Sequence, residues 1–183
     1  MNKIKSFFHC FVFIISMGIV PASQAATDHQ MTDEILVYVN QYRAQHGLPK
    51  LAMSPSISQQ ALQHSHDMAA HVVPFGHDGF NHRIQHLHQQ IKQSSSGAEN
   101  VAYNYTTARI VVDGWIKSPA HRRNMLGHYN LTGIGIARDK TGKIYYTQLF
   151  LHENNAVTVH NSREHGHNVR INGTHQHGHH DYS

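Results

Sequence analysis

The sequence predicts an α+β domain, and two observations support this prediction: helical periodicity dominates the central part of the chain, and β-rich runs follow it. Apolar residues recur at i, i+3, i+4 and i+7 spacing in the earlier segments, which is typical of a helix with one buried face. The later runs, 133–137 and 143–151, flank a turn signal at 138–142 and predict a hairpin. Helices that precede paired strands are typical of the α+β class.

Five helices are predicted from this periodicity and from the residues at their boundaries. The first spans 32–46, with Thr32 as its cap and Gly47 at its end. The second begins at Ser54 and Pro55 and runs to about residue 71, because a capping side chain followed by proline favours a helix start. The others are expected at 83–92, from a cap at residue 106 or 107, and at 118–126, with a loop at 72–81 and a break at 94–97.

In the fourth predicted helix, Ile110, Val111 and Trp115 are expected to face the core. The same spacing argument places Ile35, Tyr38, Val39 and Tyr42 on the apolar face of the first helix. These positions form the candidate core on the helical side of the domain.

The first 25 residues have the features of a cleavable export signal. Lys3 and Lys5 provide a positive start, residues 7–20 are apolar, and Ser23 and Ala25 are small residues placed before a predicted cleavage after Ala25. The apolar run is shorter than the roughly 20 residues that a transmembrane helix needs. We therefore expect a secreted or periplasmic protein without a transmembrane anchor.

Composition excludes several classes of function. Cys10 is the only cysteine and lies in the signal segment, so the cleaved chain would have no disulfide framework and no thiolate chemistry. Cleavage also removes two lysines from 15 basic residues, leaving 13 against 11 acidic residues and a net charge of about +2. No basic stripe with interleaved aromatic residues is present, and we predict no nucleic-acid partner. We expect a monomer with one domain at 26–153 and a tail at 154–183.

Four segments occur in a distinctive order along the chain. They are PFGH at 74–77, GAENVA at 97–102, VVDGWIKSPAHRRNML at 111–126, and GIGIA at 133–137 followed by YYTQLF at 145–150. In this order they resemble the motifs of the CAP superfamily (SCP/Tpx-1/Ag5/PR-1), in its bacterial branch, over about residues 31–152. The resemblance implies a three-layer α-β-α sandwich in which helices cover both faces of a largely antiparallel sheet, with a cleft on one side.

The resemblance also implies a ligand cleft. Eukaryotic members hold a divalent metal there with two histidines and two acidic residues, of which His77 and Glu99 match one each, while Ser118 and Tyr145 replace the other two. His121 is typical of the bacterial branch and is expected to point into the same cleft. His77, Glu99 and His121 are therefore candidate zinc ligands with an open coordination position. The candidate cleft residues are His77, Glu99, His121, Tyr145 and Gln148.

A structural role for the same residues is the alternative. Glu99 would then accept hydrogen bonds that hold loops together, and His77 and His121 would pack without a metal. A second group consists of His64, Asp67 and His71, which would share one helix face. Their spacing predicts an adventitious surface chelate rather than a catalytic centre.

The C-terminal tail is rich in histidine. Flexible His-x-His repeats can wrap several imidazoles around one ion, and imidazole favours zinc, copper and nickel over calcium or magnesium. The alternative is a solvated extension that only titrates with pH. The tail histidines are His160, His165, His167, His175, His177, His179 and His180, of which the last six are the predicted metal ligands.

Together these features predict an exported protein that binds a ligand in its cleft and a transition metal in its tail. The resemblance implies lipids, other proteins or cell-envelope components as partners. We expect binding rather than catalysis. The alternative is a zinc-dependent hydrolase that uses His77, Glu99 and His121 in the cleft.

Overall fold

The computed structural model describes residues 22–154, in which five helices surround a four-stranded mixed sheet. The predicted export signal, apart from residues 22–25, and the histidine-rich tail from residue 155 onward lie outside the described residues. In chain order the elements are α1 (Ala22–Gln45), β1 (Ala52–Met53), α2 (Pro55–Ala69), α3 (Phe80–Gln90), β2 (Ser94–Tyr103), α4 (Ala108–Lys117), α5 (Pro119–Met125), β3 (Leu131–Arg138) and β4 (Ile144–Glu153).

The sheet has the strand order β1-β3-β4-β2 and is mostly antiparallel. Only β1 runs parallel to its neighbour, with Ala52 opposite Leu131, whereas β4 pairs antiparallel with both β3 and β2. Strand β2 lies at one edge of this sheet, and it carries Glu99 opposite Leu149. The predicted α+β class and the mostly antiparallel sheet are confirmed.

Helices cover both faces of the sheet and bury a core on each. On one face α1 and α4 pack against the strands, and on the other α2 and α3 do so. Strand β4 is consequently buried at every position from Ile144 to Leu151, as expected for a strand covered on both sides. Core residues of the first face include Ile35, Val39, Val111, Trp115, Ile136, Tyr146 and Phe150, and those of the second include Ile57, Ala61, Leu87, Leu149 and Leu151.

Helix α2 lies unusually close to β3 because β3 contains two glycines. A Cβ atom built on Gly133 would overlap the backbone at Ile57, and one built on Gly135 would overlap the backbone at Leu62. Ser65 reinforces this contact, since its hydroxyl donates to the Gly135 carbonyl at 3.0 Å. The glycines therefore allow α2 to approach the sheet at backbone distance.

Two helix starts differ from the prediction. α1 begins at Ala22, so Thr32 is an interior residue whose hydroxyl donates to the His29 carbonyl at 2.7 Å rather than a cap. α3 begins at Phe80 after Gly79, which has φ of 76°, a left-handed conformation that glycine accommodates without a steric cost. The end of α1 agrees with the prediction, because Gly47 follows it at φ of 70°. No helix in the described range is both long and apolar enough to span a bilayer.

Two strands are absent from the sequence prediction. Residues 94–97, expected to be a break, begin β2, because pairing with β4 overrides the weak strand propensity of a serine-rich and glycine-containing segment. β1 has only two residues and carries no periodicity of its own. Ile110, expected in the core, is 47% exposed because the buried face of α4 consists of Ala108, Val111, Val112 and Trp115.

Candidate functional site

Glu99 is the centre of a buried charged cluster on the α2 and α3 side of the sheet. Its side chain is only 1% exposed. Both of its oxygens accept hydrogen bonds from Arg83: Nε reaches Oε2 at 2.9 Å, and Nη2 reaches Oε2 at 2.6 Å and Oε1 at 2.9 Å. His77 Nδ1 is a further partner of Oε1 at 2.8 Å. The carboxylate is therefore neutralised and hydrogen-bonded inside the protein.

Arg83 reaches Glu99 from α3 and was absent from the predicted site. Its side chain is 10% exposed, and its Nη1 donates to the Asp78 carbonyl at 2.7 Å, which ties the preceding loop to the same guanidinium. A signal for this residue exists in the sequence, because Arg83 lies on the helix face that buries Leu87, four residues later. A cation on an apolar face needs buried acceptors, either a carboxylate or several backbone carbonyls.

The histidines around Glu99 have distinct roles. A carboxylate only accepts hydrogen bonds, so His77 donates from Nδ1 and its Nε2 is the ring nitrogen left for a ligand. The His77 side chain is 53% exposed. His64 is buried, and its Nε2 donates to the Gly76 carbonyl at 2.9 Å while lying 4.0 Å from Glu99 Oε1. Burial lowers the pKa of His64, so the neutral ring anchors the loop that carries His77.

The predicted surface chelate of His64, Asp67 and His71 is wrong. His64 faces the core, Asp67 accepts from Gln63 at 2.9 Å, and His71 lies beyond the end of α2 with φ of 56°. The helix packs with its His64 side inward because Ser65 and Met68 are buried beside it. Tertiary packing thus buries His64 and removes it from the predicted chelating face.

His121 approaches the cluster from the other side of β2, on α5. Asn100 donates to the His121 carbonyl at 3.1 Å, and Asn124 donates to the Glu99 carbonyl at 3.0 Å, so both asparagines fasten α5 to the edge of β2. The pKa of His121 is lowered by burial and, to a smaller extent, by the charge of His77. The structure therefore joins His77 and Glu99 directly and brings His121 within electrostatic range of His77.

Tyr145 and Gln148 occupy different surroundings. Tyr145 is buried and stacks on Tyr103, with ring centroids 6.2 Å apart, so it supports the cleft wall from behind. Gln148 is fully buried opposite Asn100, on the face of the sheet away from the Glu99 side chain. Its Nε2 donates to Thr132 Oγ1 at 3.2 Å, while its Oε1 has no hydrogen-bond partner among the described residues. Gln148 is thus placed in the core.

An open cleft of about 500 Å³ lies beside this cluster, between the end of β2, the loop before α3, and α4 and α5. Phe75 and Tyr103 stand at its rim, 46% and 45% exposed, with ring centroids 4.6 Å apart. The Lys143 ammonium lies 5.0 Å from the centre of the Tyr103 ring. The lining includes Phe75, Val101, Tyr103, Trp115, Ser118 and His121.

A larger groove of about 860 Å³ lies between α1, α2 and β3. It is lined by residues such as Thr32, Leu62 and Ile136, and by none of the predicted cleft residues. We place the candidate site in the smaller cleft, because only there do exposed aromatic rings lie beside a titratable group, His121.

The residues around Glu99 do not fit a divalent cation. The guanidinium of Arg83 already supplies the positive charge, and a metal would have to displace it and leave a buried arginine without its partner. Within residues 22–154, no three histidine, cysteine, aspartate or glutamate side chains lie close enough together to hold a metal ion. The arrangement favours the structural role of Glu99 over that of a metal ligand.

Arg43 is a second buried cation that the sequence prediction missed. It extends from α1 and donates to the carbonyls of Met125, Gly127 and Tyr129 at 2.8 to 2.9 Å, which holds the turn between α5 and β3. Its Nε also donates to the Pro49 carbonyl at 3.0 Å. Burial lowers its pKa, and the four carbonyl partners compensate for the absence of a carboxylate.

Comparisons with known proteins agree with this architecture. Residues 36–150 match the family described as "CAP: Cysteine-rich secretory protein family". A Bacillus subtilis protein described as an uncharacterized membrane protein is 33% identical over 124 residues, which cover 64% of this chain and 33% of that protein. The chain thus spans about a third of the length of this relative.

Solved structures share the fold. An extracellular protein from Bacillus anthracis containing an SCP domain superposes with a TM-score of 0.62 and 25% identity, over 74% of this chain and 44% of that one. An outer surface protein from Borrelia burgdorferi gives 0.58 and 15% identity, over 68% and 93%. A Staphylococcus aureus cysteine-rich secretory protein gives 0.58 and 22% identity, over 69% and 39%.

Proposed function

Because this chain belongs to the CAP family, we propose that it is an exported binding module whose ligand occupies the cleft beside Phe75, Tyr103 and His121. The similarity to an extracellular Bacillus anthracis protein supports export, as do the signal-like features of residues 1–25. The ligand class that we expect is a component of the cell envelope.

The observation that carries this proposal is the exposed pair of aromatic rings at the mouth of the cleft. Phe75 and Tyr103 contact one another and leave nearly half of each side chain in solvent. Exposed apolar side chains that cluster beside a concavity typically mark a binding surface. The polar groups of His121 and Ser118 line the same cleft and can orient a ligand.

The alternative, a zinc-dependent hydrolase, has less support. Such an enzyme needs three protein ligands and an open position on the metal. The Glu99 carboxylate already accepts hydrogen bonds from Arg83 and His77. Within residues 22–154, no carboxylate joins His121 in a three-residue ligand set. The cleft thus offers recognition groups without an available carboxylate.

The test uses two envelope probes, purified peptidoglycan sacculi and vesicles of phosphatidylglycerol, in cosedimentation with the full chain. We expect the wild type to bind one of them and Phe75→Ala/Tyr103→Ala to lose most of that binding. The matched control is Val37→Ala/Ile110→Ala, which removes comparably exposed side chains away from the cleft. Equal binding by the aromatic variant, or no binding of either probe by the wild type, would contradict the proposal.

We also propose that the tail binds transition metals. The His-x-His spacing at residues 165 and 167, and at 175, 177 and 179, supports it. Titration calorimetry with Zn²⁺ at pH 7.5 should show several equivalents bound to the full chain. Replacement of the seven tail histidines by Gln should remove most of them, and an unchanged stoichiometry would reject a metal site in the tail.

A further inference from the structure

The outer face of α3 presents two histidines that take no part in the cleft. His82 is exposed and His86 is half-buried, whereas Arg83 and Leu87, one residue further along in each case, are buried. The burial pattern therefore places the two imidazoles on the side of the helix that faces away from β2. Neither residue lies in the family motifs.

The spacing of this pair is that of a helical metal chelate. Residues four apart on a helix are neighbours, with Cβ atoms about 5–6 Å apart. Two histidines at this spacing bind zinc in the H-E-x-x-H motif of metalloproteases. We infer that His82 and His86 form a binding site for Zn²⁺, Cu²⁺ or Ni²⁺ on α3, separate from both the cleft and the tail.

The same comparison shows why this site would bind metal without hydrolysing a substrate. The position that holds the general base in H-E-x-x-H is taken here by Arg83, whose guanidinium turns inward to Glu99. No third histidine, cysteine, aspartate or glutamate completes a cluster with the pair within residues 22–154. Water would fill the remaining coordination positions, and the site binds an ion through two protein ligands.

Little in the present hydrogen bonding opposes ligation. His86 Nε2 lies 3.1 Å from the Gln90 amide nitrogen in an exposed contact one turn further along the helix. Metal binding at Nε2 would replace one solvent-accessible hydrogen bond, which contributes little in water. His82 is exposed, so its ring can rotate towards an ion shared with His86.

A metal held across one turn would also affect the cleft. α3 carries Arg83, and Arg83 holds Glu99 and the loop carbonyl of Asp78. An ion that binds only the folded helix stabilises it in proportion to its concentration relative to Kd. The site thus couples transition-metal binding on the surface to the stability of the Arg83–Glu99 pair and of the loop at Asp78.

The test uses the full-length chain with its seven tail histidines replaced by Gln, so that failure of the proposed tail site cannot influence the result. Titration with Zn²⁺ at pH 7.5 should show one equivalent, and His82→Gln/His86→Gln in this background should abolish it. The control is His46→Gln/His128→Gln, which removes two exposed histidines that are not four residues apart. Retention of the equivalent by the His82/His86 variant would overturn the site.

Two further measurements locate the ion. Substoichiometric Cu²⁺ should broaden the amide resonances of 82–86 before those of other helices, and excess Zn²⁺ should raise Tm in the tail-substituted background but not after His82→Gln/His86→Gln. Broadening that begins elsewhere, or a Tm increase that persists in the double variant, would assign the ion to another place. Near-ultraviolet circular dichroism checks that the fold is retained after substitution of the exposed His82 and the half-buried His86.

Discussion

At the scale of single residues, the Arg83–Glu99 pair determines the character of the candidate site. Both side chains are largely buried, so two opposite charges are removed from water. Each charge is stabilised by the other, since the Glu99 carboxylate accepts hydrogen bonds from Arg83 at 2.6 to 2.9 Å. Such a pair adds little stability compared with an apolar pair, but loss of one partner leaves an unpaired buried charge.

We expect Arg83→Met to reduce the free energy of unfolding by about 3–5 kcal/mol, since the buried carboxyl group of Glu99 would lose its cationic partner. Arg83→Met/Glu99→Leu should recover most of the loss, because no charge is left behind. Arg138→Met provides the comparison at the less buried Arg138–Asp28 pair, whose side chains are 25% and 21% exposed, and should cost less than Arg83→Met. Urea denaturation measures all three, and a double variant no more stable than Arg83→Met would show that packing, not charge, dominates.

His64 makes stability depend on pH. Burial lowers its pKa below the ordinary value of 6.5, against smaller opposing effects of the Gly76 hydrogen bond and of Glu99 and Asp67, while Arg83 lowers it further. The unfolded chain therefore takes up a proton first as pH falls. This contribution is fully present above about pH 6.5 and is lost as pH falls towards the folded pKa. His64→Gln should flatten the change in unfolding free energy between pH 7.5 and 5, and an unchanged slope would exclude His64 as its source.

At the scale of secondary-structure elements, the contact of α2 with β3 depends on glycine. Ile57 and Ala61 on α2 face the sheet, and the absence of side chains at Gly133 and Gly135 allows the two backbones to meet. The position of α2 in turn sets the position of His64 and the loop that it anchors. Helix α2 therefore helps to shape the cleft, although none of its own residues lines it.

Gly135→Ala should destabilise the protein by about 3 kcal/mol or more, at the upper end of the cost of overpacking. The added methyl group overlaps backbone atoms rather than a movable side chain. Gly142→Ala is the reference: Gly142 has φ of 85° and open space around it, so its cost of about 1–2 kcal/mol is conformational only. Thermal unfolding of both variants tests this. A smaller loss for Gly135→Ala than for Gly142→Ala would mean that α2 moves away easily.

At the scale of the whole molecule, histidine content controls the net charge. The full chain has a formal charge of +4 with neutral histidines, and it contains 20 of them. Because an unperturbed imidazole titrates near pH 6.5, mild acid adds positive charge to a chain this rich in histidine, while burial lowers the pKa of His64. The surface is thus much more cationic in mild acid than at neutral pH.

Binding to anionic vesicles should accordingly strengthen as the pH falls from 7.5 to 5.5 and should weaken on addition of salt, since the screening length is about 8 Å at physiological ionic strength. Cosedimentation with phosphatidylglycerol vesicles at both pH values measures it, with phosphatidylcholine vesicles as the uncharged comparison. Flat binding across this pH range would contradict an electrostatic attraction through histidine.

The sequence by itself determined the order of the helices, the late hairpin and the family. Helix periodicity, the Ser54–Pro55 and Ser118–Pro119 starts and the motifs around Trp115 are local, so they can be recognised without coordinates. His77 and Glu99 were also placed correctly as neighbours, through the resemblance. Strand β2 was missed, because its pairing partner lies about 50 residues away and its own propensity is weak.

Only the tertiary structure decided what surrounds Glu99. Arg83 and Glu99 are 16 residues apart and meet because α3 packs on the face of the sheet from which the Glu99 side chain projects. The same packing buried His64 and directed Gln148 into the core rather than the cleft. Local sequence patterns specify which face of an element is apolar. The partner of a buried charge depends instead on how distant elements pack against each other, which only the tertiary structure determines.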